Sequence, residues 1–145
     1  MNDDDDGLNK SVLLPCDQER AFSLFTDHIG EWWPPERRHL KDVQSILVLT
    51  QEQFSEHGDD GRRVELGRVV DWEPPRRIVL DFYPGTDSAH PTAVVIQFVT
   101  EGEATRVLVE HRWGRASPEL WGARVSAFRT SWEVVLAALL TASAV

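Results

Sequence analysis

SPELWGARVSAFRTSWEVVLAALLTA, residues 117–142, is the stretch that decides the fold. Ser117 can cap a helix that has Pro118 in its first turn and Glu119 close behind, where an acidic side chain meets the positive end of the helix dipole. Trp121, Val125, Phe128, Trp132, Val135 and Leu139 then recur at spacings of 4, 3, 4, 3 and 4. That is one continuous apolar stripe, widened by Leu136 and Leu140. A helix with such a stripe needs an apolar sheet face to cover.

The sequence before it supplies one. Thr105 to Trp113 and Thr92 to Thr100 flank Glu101-Gly102-Glu103-Ala104, which predicts a hairpin. Arg77 to Tyr83 is a further strand, closed by Pro84-Gly85. Alternation puts Ile78, Leu80 and Phe82 on one face, Val94, Ile96 and Phe98 on one face, and Val107, Val109, His111 and Trp113 on one face. Further upstream, Gly67 to Trp72, Arg62 to Leu66 and Val43 to Thr50 read as strands, the first two broken near Gly67. Before them, Thr26 or Asp27 can cap a short helix through Gly30 to Trp33, which Pro34-Pro35 stops. Pro15-Cys16-Asp17 opens another helix with Ala21, Phe22, Leu24 and Phe25 on its apolar face, and Lys10 to Leu14 is a short strand. The order is strand, two short helices, a block of about six strands, then one long helix. It predicts a single α+β domain over residues 8–145, with a curved antiparallel sheet wrapped around the last helix. Residues 1–7 read as a disordered acidic tail.

Composition narrows the function. The chain has 145 residues, 41% hydrophobic and 27% charged, with a net charge of −9, of which Asp3 to Asp6 supply four negative charges. The remaining −5 argues against nucleic acid and against anionic membrane surfaces, since both are met by clustered Lys and Arg. The pairs Arg37-Arg38 and Arg76-Arg77 are too few for such a stripe and read as solvated turn charges. One cysteine, Cys16, excludes an internal disulfide and a cysteine zinc cage. The start, MNDDDDGLNK, is acidic where a signal peptide is basic, and no run approaches the roughly 20 apolar residues of a membrane helix, so a cytoplasmic location is expected.

Several strings are telling together: PCDQERAFSLFTD with HIGEWWPP, GRVVDWEPPRRIVLDF, TAVVIQF, TRVLVEHRW and SWEVVLAAL, spanning about Val12 to Leu140. In these the chain resembles the SRPBCC, or START-like, superfamily with the helix-grip fold of the birch-pollen allergen. Within it, the chain is similar to the family named after the activator of the heat-shock protein 90 ATPase. Relatives often carry a Gly-Gly pair and an aromatic in the third strand, where this chain reads Gln51-Glu52-Gln53-Phe54-Ser55-Glu56. The resemblance implies a cavity between sheet and long helix with Trp32-Trp33-Pro34-Pro35 at its mouth. Adjacent helical residues point about 100° apart, so only one of the two Trp residues can face the cavity fully.

Three functions follow as expectations. The first is a binding module for a small hydrophobic or amphipathic molecule, lined by Trp32, Trp33 and His39, by Leu80, Phe82, Ile96, Phe98, Val109, His111 and Trp113, and by Trp121, Val125 and Phe128 of the helix. The second is a cyclase, dehydratase or hydrolase using His111 as base with Asp71, Glu73, Glu56 or His39 beside it. The third is a chaperone partner of the type that the family name suggests. No metal or cofactor is expected: the five histidines have no i, i+4 pair, and no phosphate loop or nucleophile elbow is present. Cys16 stands at a helix start, which favours a thiolate, but has no base in sight and reads as a packing residue.

Overall fold

The computed structural model describes residues 7–40 and 44–144. Strand β1 (Gly7–Leu14) is followed by helices α1 (Gln18–Phe25) and α2 (Ile29–Trp32) and a single 3₁₀ turn at Pro35–Arg37. Six strands follow: β2 (Ile46–Leu49), β3 (Gln53–His57), β4 (Arg63–Glu73), β5 (Arg77–Phe82), β6 (Thr92–Glu101) and β7 (Ala104–Arg112). Helix α3 (Pro118–Ser143) ends the fold. The strands form one antiparallel sheet in the order β1-β7-β6-β5-β4-β3-β2. The first strand therefore pairs with the last.

Local chemistry sets the ends of the helices. Asp17 accepts a hydrogen bond from the Arg20 amide at 2.8 Å, and Ser117 Oγ accepts from the Leu120 amide at 3.1 Å, each covering a donor that the first turn leaves open. Helix α2 is entered at His28 without a side-chain cap, rather than at Thr26 or Asp27. Thr26 instead donates to the Phe22 carbonyl at 2.8 Å and closes α1.

The alternation of β5, β6 and β7 carries Ile78, Leu80, Phe82, Val94, Ile96, Phe98, Val107, Val109 and His111 into the interior. There α3 meets them with Trp121, Phe128, Trp132, Val135, Leu136 and Leu139. Helix α3 is by length and composition apolar enough to cross a bilayer. Its stripe lies buried on the sheet, however, and Arg124 and Glu133 face outward, so it is the core helix of this domain.

The structure corrects the sequence reading at several points. Gly7 is a buried residue of β1, paired with Arg112, and does not belong to the tail; residues 1–6 lie outside the described residues. The strand expected from Val43 begins at Ile46, and Val43 itself lies outside the described residues. Leu140 is 39% exposed and does not widen the stripe. Residues 63–66 and 67–72 belong to one strand, and Arg62 stands just before it. Its break is a pair of bulges, with Leu66 inserted opposite Phe54 and Ser55, and Val70 inserted opposite Leu80 and Val79. An extra residue bends a strand and resets which side chain points inward. At the first bulge both Leu66 and Gly67 are buried, and a Cβ on Gly67 would stand 2.5 Å from the Asp81 carbonyl oxygen, closer than any side chain can approach. The bulges thus bend the sheet where it parts from α3.

Candidate functional site

Where the sheet curves away from α3, a cleft of about 300 Å³ opens. Ala127, Phe128 and Ser131 of α3 form one wall. Phe54 of β3, Leu66 of β4 and Phe82 of β5 form the opposite one, with Pro84 and Gly85 beyond β5. Trp33 and the segment Glu36 to His39 form the rim. Leu66 faces this wall on the same side as Val64, and the bulge brings Gly67 inward beside it. Gly85 has φ +83° and lies against the Phe128 ring, so close that a Cβ would stand 2.9 Å from it. Only glycine combines that backbone with that contact.

The rim is pinned by Arg38. Its Nε and Nη2 donate to the Trp33 carbonyl, its Nη2 also to the Gly30 carbonyl at 3.1 Å, and its Nη1 to the Ser45 carbonyl at 2.5 Å. With 8% exposure it is not a solvated turn charge: it clamps the α2 turn to the segment leading into β2 from inside. Glu56, fully buried, accepts from the His39 and Leu40 amides at 2.8 and 3.1 Å and fastens the other end of the rim to β3. Arg37 is different. It lines the cleft, its Nη1 contacts Ser131 Oγ at a long 3.4 Å, and its buried Nε has no partner.

Of the two Trp residues at the mouth, Trp33 lines the cleft and Trp32 does not. The Trp32 indole N–H donates to the Leu24 carbonyl at 2.7 Å, and its ring packs on Phe25. The Trp33 ring meets Phe54 edge-on at 5.6 Å and Trp132 at 6.3 Å.

Behind the cleft the interface is filled. Phe82 and Phe128, whose rings stand 6.4 Å apart, separate the cleft from His111. The imidazole is fully buried among Phe82, Trp121, Phe128 and Trp132, with the Phe128 ring centroid at 4.3 Å. Its polar atoms form a chain with one solution. The Trp132 indole can only donate, so at 3.0 Å it makes His111 Nδ1 the acceptor. The proton therefore sits on Nε2 and is donated to Thr92 Oγ1 at 2.8 Å, and the Thr92 hydroxyl passes its own proton to the Phe82 carbonyl at 3.3 Å. Burial pushes the His111 pKa down to about 3. A neutral imidazole with both nitrogens occupied has no lone pair to offer a substrate.

The partners proposed for His111 from the sequence lie elsewhere. Asp71 and Glu73 both accept from Arg77 Nη1, at 2.7 and 2.8 Å; Glu56 holds the rim; and His39 is exposed there. Trp33, His39, Phe82 and Phe128 come together around the cleft. Trp32, Leu80, Ile96, Phe98, Val109, His111 and Trp121 are packed in the interior, Val125 is half-buried, and Trp113 lies half-buried just beyond β7. Arg37, Phe54, Leu66 and Ser131 are cleft residues that the sequence reading did not assign. Phe54 carried the one available signal, an aromatic in the third strand. Among the described residues, no three His, Cys, Asp or Glu side chains are grouped to hold a metal. Burial pushes the Cys16 thiol up, away from a thiolate.

The family model described as activator of Hsp90 ATPase homolog 1-like protein matches residues 15–143. No curated protein matches the chain by sequence. Among solved structures, the chain is similar to CalC, a self-sacrificing resistance protein from Micromonospora echinospora, with 21% identity and a TM-score of 0.73 over 97% of this chain and 96% of that one. It is also similar to a protein from Rhodobacter sphaeroides, with 19% identity and a TM-score of 0.70 over 97% of this chain and 93% of that one. A third likeness is to DynU16, of the dynemicin biosynthetic locus, with 18% identity and a TM-score of 0.67 over 94% of this chain and 46% of that one. At these identities the likeness is one of fold.

Proposed function

The chain belongs to the activator of Hsp90 ATPase homolog 1-like family, and from that premise we propose that it is a binding module for a small hydrophobic or amphipathic molecule held between the sheet and α3. One observation carries the reading. The α3–sheet interface is densely packed behind Phe82 and Phe128, yet in front of them it leaves about 300 Å³ open between aromatic walls. A void of that size lies at the lower end of ligand pockets, which run roughly 300–1,000 Å³. It suits one or two fused rings better than a sterol or a long acyl chain.

Tryptophan fluorescence tests this, because Trp33 is part of the rim. Titration with a panel of aromatic acids, flavonoids, short fatty acids and sterols should give saturable shifts for the small ring compounds. Ala127→Trp, which fills the cleft from α3, should abolish them. No response across the panel, or binding undiminished in Ala127→Trp, would remove the proposal. Catalysis through His111 finds no support in the geometry, since the ring is sealed behind Phe82 and Phe128 with both nitrogens engaged. A co-chaperone role rests on the family's name alone.

A further inference from the structure

Two adjacent arginines stand on the rim in opposite conditions. Arg38 spends its guanidinium on the Trp33, Gly30 and Ser45 carbonyls. Arg37, whose guanidinium has only donors to offer, has one long contact to Ser131 Oγ and an Nε with none. Among the described residues only two buried side-chain polar atoms lack a partner. Ser45 Oγ does not line the cleft; Arg37 Nε belongs to a residue that does. Leaving a charged group's N–H buried and unpaired is costly, so such an atom marks a place where an acceptor is missing.

The surroundings narrow what that acceptor is. The rings of Trp33, Phe54, Phe82 and Phe128 face the same space, and aromatic walls favour a flat ring laid against them. The Nε–Nη edge of a guanidinium is a fork whose two N–H groups match the two oxygens of a carboxylate. The Ser131 contact is long enough to be given up when the fork turns toward the cleft. We infer that the cleft takes a small aromatic carboxylate, its ring among Trp33, Phe54, Phe82 and Phe128 and its carboxylate on the Nε–Nη edge of Arg37. This rests on the binding reading above and gives it a ligand class.

The test uses 2-naphthoate and 2-naphthalenemethanol, which share the ring and differ in charge. Calorimetry on the full chain should give at least tenfold tighter binding of the acid. Arg37→Met should remove that preference while leaving the alcohol's affinity within about twofold, and a thermal melt checks that the variant is folded. Should Arg37→Met fail to fold, the wild type decides by NMR: the Arg37 Nε–H resonance should shift on adding 2-naphthoate and stay in place with the alcohol. Equal affinity for the two probes overturns the inference and leaves the binding reading standing. A preference that survives in Arg37→Met, or an Nε–H resonance indifferent to 2-naphthoate, overturns the role of Arg37. Binding of neither probe overturns the inference, and only silence across the wider panel as well removes the binding reading.

Discussion

Phe82 and Phe128 have two sides, and the chain treats them differently. Behind them, His111, Thr92 and Trp132 share every proton they have, and aromatic rings close the space around them. In front of them, similar apolar side chains stop short of meeting, and Arg37 keeps an N–H without a partner. The inner side is built as a core: a polar group deep within it is tolerated when each of its atoms is satisfied. The outer side gives up packing and one hydrogen bond. A folded chain retains such a deficit most readily where something else is meant to fill it.

The contrast can be broken hardest from the inner side. Trp132→Ala removes a buried ring and strands His111 Nδ1 without its donor, and should cost about 3–5 kcal/mol or more in urea denaturation. A loss below about 1 kcal/mol would mean that the inner side is as loosely built as the outer. The next effect is one of pH. The folded value of His111, about 3, lies below the 6.5 of an unperturbed histidine, so the unfolded chain takes up the proton first. The histidine's contribution should be complete above about pH 6.5 and decline by about 1.4 kcal/mol per pH unit as the pH falls toward 3. His111→Gln keeps a donor and an acceptor but cannot titrate. The difference between its stability–pH curve and that of the wild type should show this slope, and parallel curves would show His111 to be accessible.

Smaller effects come from the rim and sharpen the contrast between its two arginines. Arg38→Met leaves the Gly30, Trp33 and Ser45 carbonyls without donors and should cost about 2–3 kcal/mol. Arg37→Met removes a charge with one weak contact and should change stability by less than about 0.5 kcal/mol, or raise it slightly, by the same chemical denaturation assay. Equal losses for the two would dissolve the distinction between a clamp and a spare donor.

Much of the fold was legible because it is periodic. The stripe from Trp121 to Leu139 and the alternation in β5 to β7 are local patterns, and each residue's neighbours in sequence report its face. The site was less legible because its determinants are exceptions to period. Leu66 and Gly67 are adjacent and both face inward because one residue is inserted there, and alternation has no term for an insertion. Arg38 is buried because carbonyls from the α2 turn and from the segment before β2 converge on it, whereas an Arg-Arg pair between prolines and a histidine reads as surface. The inward parity of His111 was readable from β7. Its partners were not: they lie 19 and 21 residues away on β6 and α3, whereas the carboxylates that the sequence offers serve Arg77 and the rim.

The bulge at Leu66 has a consequence for how the cleft can change. A substitution there alters the lining by one side chain. Deleting Leu66 would restore strict pairing between β3 and β4, leave the faces on either side as they are, since Val64 stays opposite Glu56 and Gly67 opposite Phe54, and remove the local bend together with one side chain of the wall. The wall is thus encoded in chain length as well as in residue identity. Relatives that share the strings on either side but lack one residue at this point would keep the fold with a differently shaped wall, and they can be sorted by counting alone.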